Sequence, residues 1–220
     1  MTGEKKYVVF IDLDKTLLKV NSGKIFILSA YKQGLISFMS LLKAFFISVK
    51  YKLHIEEDTK IITKSIAGMS GLSEISIINL SKEIIKNTLI PLIRPSVIKE
   101  TEYHKNRGGE IVLLSAALTY ICEPIAEYTG IKHVICSETE VKNGILTGNL
   151  TGKICMGIEK KVRAERYCVQ NSFNLSDAFC YGDSITDKYI MSVTGNPVCV
   201  EPDKKLKKLA IKNNWRIITK

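Results

Sequence analysis

Three short apolar runs constrain this chain more than any other feature, because each stops on a polar residue. Residues 7–11 read YVVFI and end at Asp12. Residues 110–114 read EIVLL and end at Ser115, and residues 178–181 read AFCY and give way to Gly182-Asp183. Continuous β-branched and aromatic runs of this length have the pattern of strands buried on both faces. Helical stretches follow at 96–107, 119–128, 159–169, 187–192 and 203–213, with further short strands at 133–136, 197–200 and 215–218. Strands alternating with helices predict an α/β fold, a Rossmann-like parallel sheet covered on both faces. Ligands meet such sheets at the carboxyl ends of the strands. Asp12, Ser115 and Asp183 are therefore expected to converge on one edge.

Residues 17–90 interrupt this rhythm. Their periodicity is helical, with breaks at Gly34 and across 68–71, and no strand pattern is present. The expected organisation is an α/β core formed by 1–16 and 91–220, with 17–90 inserted as a helical cap domain. Within the core, Asn143-Gly144 lies between β-prone runs in 138–150 and predicts a hairpin. Residues 35–49 (LISFMSLLKAFFISV) are strongly apolar but shorter than the roughly twenty residues needed to cross a bilayer. A buried helix is expected there, with contact at a membrane surface as the alternative.

Composition narrows the function classes. The formal net charge of +10 attracts anions, among them phosphorylated metabolites, acidic lipid headgroups and nucleic acid. The basic residues are scattered apart from Lys204, Lys205, Lys207 and Lys208, a cluster expected on the solvated face of a helix, and nucleic acid is not expected as a partner. Six cysteines lie far apart without a C-x-x-C pair, so zinc-site spacing is missing and reduced thiols are expected. The three histidines are separated and outside any metal-binding motif, and are expected to be structural or on the surface. The polar first residues carry no apolar signal-peptide core, and a cytoplasmic location is expected.

The candidate chemistry lies at the strand ends. Alternate residues of an extended chain share a face, so Asp12 and Asp14 of D-L-D-K-T are expected to point toward one ligand. Carboxylates so close repel and call for compensation, usually by a divalent cation. Asp183 and Asp187 stand four apart where the AFCY strand turns into a helix, and Asp183 completes with Asp12 and Asp14 an oxygen-rich site suited to magnesium. Ser115 offers a hydroxyl and neighbouring N–H groups to a phosphate. Lys160-Lys161, at a helix start, can supply an opposing cation.

In order and spacing, Asp12–Thr16, Ser115, Lys161 and Gly182–Asp187 resemble the four motifs of the haloacid dehalogenase (HAD) superfamily. The long helical insertion directly after the first motif resembles the phosphoserine-phosphatase-like branch, subfamily IB. The resemblance implies a phosphatase in which Asp12 is the nucleophile and Asp14 the general acid and base. Ser115 and Lys161 would hold the phosphoryl oxygens, and Thr16 would orient the first loop. Mg2+ would be held by Asp12, the carbonyl of Asp14, and Asp183, with Asp187 supporting them. Lys161 is preferred because it precedes Val162 as in the G-x-x-K-V pattern of relatives. The extra residue after Gly157 makes Lys160 its rival.

The pattern also departs from its relatives. Lys15 stands where many have glycine. Phosphoserine phosphatases of this branch carry an acid soon after the first motif and an arginine in the cap. Here LLKVNSGKIF has no acid, and 17–89 has no arginine. The substrate is expected to be a small phosphate monoester, with a lipid-derived ester as one alternative and phosphotransferase or mutase activity as another. A non-catalytic binding module is disfavoured by the complete set of motif residues.

Overall fold

A computed structural model describes residues 7–43, 46 and 58–219. Six strands form one parallel sheet: β1 (Val8–Ile11), β2 (Glu110–Leu118), β3 (His133–Ser137), β6 (Phe179–Gly182), β7 (Asn196–Val200) and β8 (Arg216–Ile218). Their spatial order is β3-β2-β1-β6-β7-β8. The chain leaves β1 toward one side of the sheet and later returns to its other side. The switch of direction thus falls beside β1, where an open α/β sheet places its ligand crevice. A separate antiparallel hairpin joins β4 (Thr139–Lys142) to β5 (Ile145–Leu150). Its turn places Asn143 at φ 50° and Gly144 at φ 75°, the conformation that Asn-Gly turns favour.

The buried runs divide by strict alternation. Val9, Ile11, Ile111, Leu113, Tyr181 and Val198 face one layer, and Val8, Phe10, Val112, Leu114, Cys180 and Cys199 face the other. Helices α4 (Pro95–Asn106) and α5 (Thr119–Tyr128) cover the first face through Val97, Ile121 and Ile125. Helices α6 (Ile158–Gln170), α7 (Lys188–Met191) and α8 (Lys204–Lys212) cover the second through Ala164, Met191 and Leu206.

Between β1 and α4 the described elements are helical: α1 (Ser22–Lys32), α2 (Asp58–Ala67) and α3 (Glu74–Ile84), with short helical turns at Leu13–Leu17, Ile85–Leu89 and Ile90–Leu92. Phe26, Ile77, Leu80, Ile84 and Leu89 join the same apolar cluster as Val9 and Leu113 of the sheet. The two connections to the sheet pair with each other through a bridge between Leu18 and Ile93.

Two expectations need correction. β2 does not stop at Leu114 but continues through Ser115 to Leu118, with a register break against β3 over that stretch. The segment 35–49, which lies partly outside the described residues, does not read as a buried helix. Phe38 is 62 % exposed and Met39 59 %, and Phe46 is also exposed. No helix among the described residues is long and apolar enough to cross a membrane.

Candidate active site

β1 delivers Asp12 to the carboxyl edge of the sheet, where its N–H donates to the carbonyl of Tyr181 on neighbouring β6 (3.0 Å). Two residues further along β6 comes Asp183, followed by a short turn that ends at Asp187. One carboxylate oxygen from each of Asp12, Asp183 and Asp187 lies within 4.8 Å of the others, and all three residues are buried. Between them sits a single buried ammonium. Lys160 Nζ donates to Asp12 Oδ1 at 2.6 Å and to Asp187 Oδ1 at 2.7 Å. Phe10, Leu114, Cys180 and Ile190 wall this group in, so little water screens the pairs.

The lysine that the structure brings to the acids is therefore Lys160, and Lys161 is not among them. Gly157 adopts φ 58° immediately before α6 and lets the helix begin at Ile158. Lys160 then shares the buried face of Ala164 and Cys168, one and two turns on. Lys161 lies a hundred degrees further around the helix and pairs with Glu165 at 3.5 Å on the outer side.

Burial dominates the electrostatics. It pushes Asp12 up to about 7 against the pull of Lys160, and pushes Asp183 up to about 8, with repulsion from Asp12 and Asp187 adding to it. Burial alone would favour neutral Lys160, but Asp12 and Asp187 outweigh it and hold the ammonium well above the usual lysine range.

Asp14 follows Asp12 but engages the helical segment. Its Oδ1 accepts from the N–H of Ser22 (2.8 Å) and its Oδ2 from Asn21 Nδ2 (3.1 Å), at the start of α1. Burial raises Asp14, and hydrogen bonding from Ser22 with the charges of Lys160 and Lys15 pulls it back. The loop that follows the two acids is held by its backbone. Lys15 takes φ 60°, ψ −2°, a left-handed conformation costing a residue with a Cβ about 1 kcal/mol. Its carbonyl accepts from Arg94 Nη2 and that of Thr16 from Arg94 Nε, both at 3.1 Å. Thr16 is fully buried, and its hydroxyl has no hydrogen-bond partner among the described residues. Ser115 is buried on β2, and its Oγ accepts from the N–H of Ala117 (3.2 Å).

Residues outside the four motifs also hold the site. Asp203 accepts from the N–H of Ile185 (2.8 Å) and donates its own N–H to the carbonyl of Asp183 (2.8 Å), which fixes the second acidic turn. Its side chain also caps α8, and Asp before a lysine-rich helix is a readable capping signal. Arg94 carries no such signal in the sequence beyond its position before Pro95.

The sequence matches the haloacid dehalogenase-like hydrolases over residues 9–192. It is similar to a phosphoserine phosphatase, SerB1, of Mycobacterium tuberculosis, with 25% identity over 212 residues that cover 94% of this chain and 69% of that protein. The fold is similar to that of a Bordetella pertussis Tohama I protein of unknown function (TM-score 0.88, 20% identity, 98% of each chain). It is also similar to a phosphoserine phosphatase holding an analogue of its phospho-aspartyl intermediate (TM-score 0.71, 20% identity, 97% of this chain and 92% of that one). With most of its length matched by the family and its acids gathered at the carboxyl edge of the sheet, this chain belongs to the haloacid dehalogenase-like hydrolases.

Proposed function

We propose that this chain is a magnesium-dependent phosphatase that hydrolyses a phosphate monoester through a phospho-aspartate on Asp12. The observation that carries the reading is the clustering of the Asp12, Asp183 and Asp187 carboxylates around buried Lys160. Carboxylate oxygens are the donors a hard cation prefers. Asp12, Asp183 and the backbone carbonyl of Asp14 would hold magnesium, with Asp187 in support. Bound there, magnesium supplies positive charge that offsets repulsion between the nucleophile and the phosphoryl oxygens.

The side chains then divide the work. A carboxylate oxygen of Asp12 attacks phosphorus, and the bond from phosphorus to the ester oxygen breaks. Asp14 gives its proton to the departing alcohol and afterwards takes one from the attacking water. That water breaks the bond between phosphorus and Asp12, releasing inorganic phosphate and regenerating the carboxylate. Lys160 and Ser115 neutralise and hold phosphoryl oxygens. Thr16 shapes the loop through its backbone rather than by a hydroxyl contact.

Residues 17–90 serve as the cap that selects the substrate. LLKVNSGKIF has no acid for the ammonium of phosphoserine, and the cap has no arginine for its carboxylate, which leaves Lys60 or Lys64 as the substitute. The exposed Phe38, Met39 and Phe46 support including lipid-derived phosphate esters among the substrates tested.

Phosphate release from an aryl phosphate, with magnesium and with EDTA, tests the reading in wild type and Asp12→Asn. Metal-dependent turnover that disappears in the variant is expected. If wild type neither turns over nor binds beryllofluoride with magnesium, the phosphatase reading fails. A competing alcohol acceptor separates hydrolysis from phosphoryl transfer.

A further inference from the structure

We propose that Lys15 is a built-in competitor for the divalent cation at Asp183, and that it sets how tightly the site holds its metal. The inference rests on the metal-dependent reading above. Its starting point is how the cluster shares its cations. Lys160 pairs with Asp12 and Asp187. Asp183, 6 % exposed, has Lys15 as its ion-pair partner, with Nζ at 3.9 Å from Oδ2.

The backbone gives the second observation. Lys15 holds a left-handed conformation that glycine adopts freely and a residue with a Cβ does not. Its N–H donates to the carbonyl of Val20 (3.0 Å), and Arg94 clamps its own carbonyl. The loop thus tolerates a strained residue at a position whose side chain reaches the acidic cluster. A lysine kept there despite the strain calls for a role in the site.

The third observation is the asymmetry of the pair. The Lys15 side chain is 58 % exposed, whereas that of Asp183 is 9 % exposed. The ammonium can move into solvent at little cost, while the carboxylate stays. In the free protein Lys15 relieves the repulsion that Asp183 feels from Asp12 and Asp187. A divalent cation arriving at Asp183 must displace this ammonium or share the carboxylate with it, and either weakens binding. Lys160, walled in and shared by two other acids, cannot yield in this way.

Titration calorimetry of magnesium chloride into EDTA-stripped, desalted protein tests the proposal. The variants are Lys15→Met, which removes the charge and keeps the strain, Lys15→Gly, which removes both, and Lys15→Arg, which keeps the charge. Lys15→Met and Lys15→Gly are expected to bind magnesium about two- to fivefold more tightly than wild type, the upper part of the range set by a partly exposed ion pair. Lys15→Arg should stay close to wild type. The advantage should shrink in 0.5 M potassium chloride, where exposed charges are screened. Lys15→Gly keeps the test decisive if Lys15→Met does not fold. If wild type binds magnesium and neither neutral variant binds it more tightly, the proposal is overturned while the metal-dependent reading stands. If wild type binds none, both fall together.

Discussion

Replacing Lys160 by methionine keeps most of the aliphatic stem and removes the ammonium that Asp12 and Asp187 share at 2.6 and 2.7 Å. Lys160 is 5 % exposed, so water cannot take over its role. Breaking a buried ion pair by deleting one partner costs about 3–5 kcal/mol. At about 2–4 °C per kcal/mol for a chain of this size, the midpoint should fall by roughly 6–20 °C. The loss should depend on pH in a defined direction. Burial already raises Asp12 to about 7, and without Lys160 the acids favour their neutral forms still more. Protonation replaces the missing cation at less cost at pH 5.5 than at pH 8, so Lys160→Met should be hurt more at pH 8. Lys161→Met is the control. It loses only a partly exposed pair with Glu165, about 0.3–0.5 kcal/mol. The assay is thermal unfolding by circular dichroism in EDTA at both pH values, with phosphate release measured alongside. Equal midpoints for the two variants, or a larger loss for Lys161→Met, would refute the assignment of Lys160 to the site.

Other contacts make further predictions. A Cβ on Gly182 would lie 2.7 Å from Asp187 Oδ2, so Gly182→Ala should displace that carboxylate and lower turnover by about tenfold or more, with far-UV dichroism retained. On Gly195 a Cβ would meet the carbonyl oxygen of Ser176 at 1.8 Å. Gly195→Ala should therefore cost about 3 kcal/mol or more in urea unfolding, and a midpoint matching wild type would contradict the packing. His104 is 1 % exposed and burial pushes it down to about 4. Because the folded value lies below the unfolded one, its contribution is present above pH 6.5 and is lost as pH falls toward 4. That loss approaches about 3 kcal/mol, so the stability gap between wild type and His104→Asn should narrow over that window. All six cysteines are buried and free, and an aromatic disulfide reagent should react with them only after unfolding.

What was legible in the sequence follows from how local the signal was. Strand ends are local: an apolar run stopping at Asp12 or at Gly182-Asp183 marks both the strand and the edge where its side chain emerges. The Asn143-Gly144 turn is local too, since two successive left-handed residues suit few other pairs. The lysine needed helix phase instead. The alternatives differ by one residue, and a match to the K-V spacing of relatives favoured the outer face. Reading Lys160 with Ala164 and Cys168 as one stripe, and Lys161 with Glu165 as an i,i+4 pair, reverses that preference from sequence alone. Contacts between distant segments gave no such handle. The donors to Asp14 from Asn21 and Ser22, and the hold of Arg94 on the loop, exist only because α1 and the return connection pack beside β1. Nor could periodicity show that helices after β1 would share their apolar cluster with the sheet, or that Phe38 and Met39 would stay exposed.

Two electrostatic scales meet in this molecule and pull in opposite directions. Over the whole surface the chain carries a formal charge of +10, a field that draws phosphorylated anions toward it. At the carboxyl edge of the sheet the sign reverses. Among the described residues, Asp12, Asp14, Asp183 and Asp187 have Lys160 and Lys15 as their facing cations, so with all of them ionised the site carries two negative charges in excess. Burial does most to raise Asp12 and Asp183, and repulsion between the acids adds to it, so protons are the simplest means of reducing the imbalance. A phosphate ester drawn in by the long-range field is therefore repelled over the last few ångströms unless positive charge is added at the acids. A divalent cation supplies the two charges that balance the count. On the phosphatase reading proposed above, the acids that include the nucleophile would also make turnover depend on the cation, and Lys15, the more exposed of the two lysines, is the charge best placed to tune that dependence.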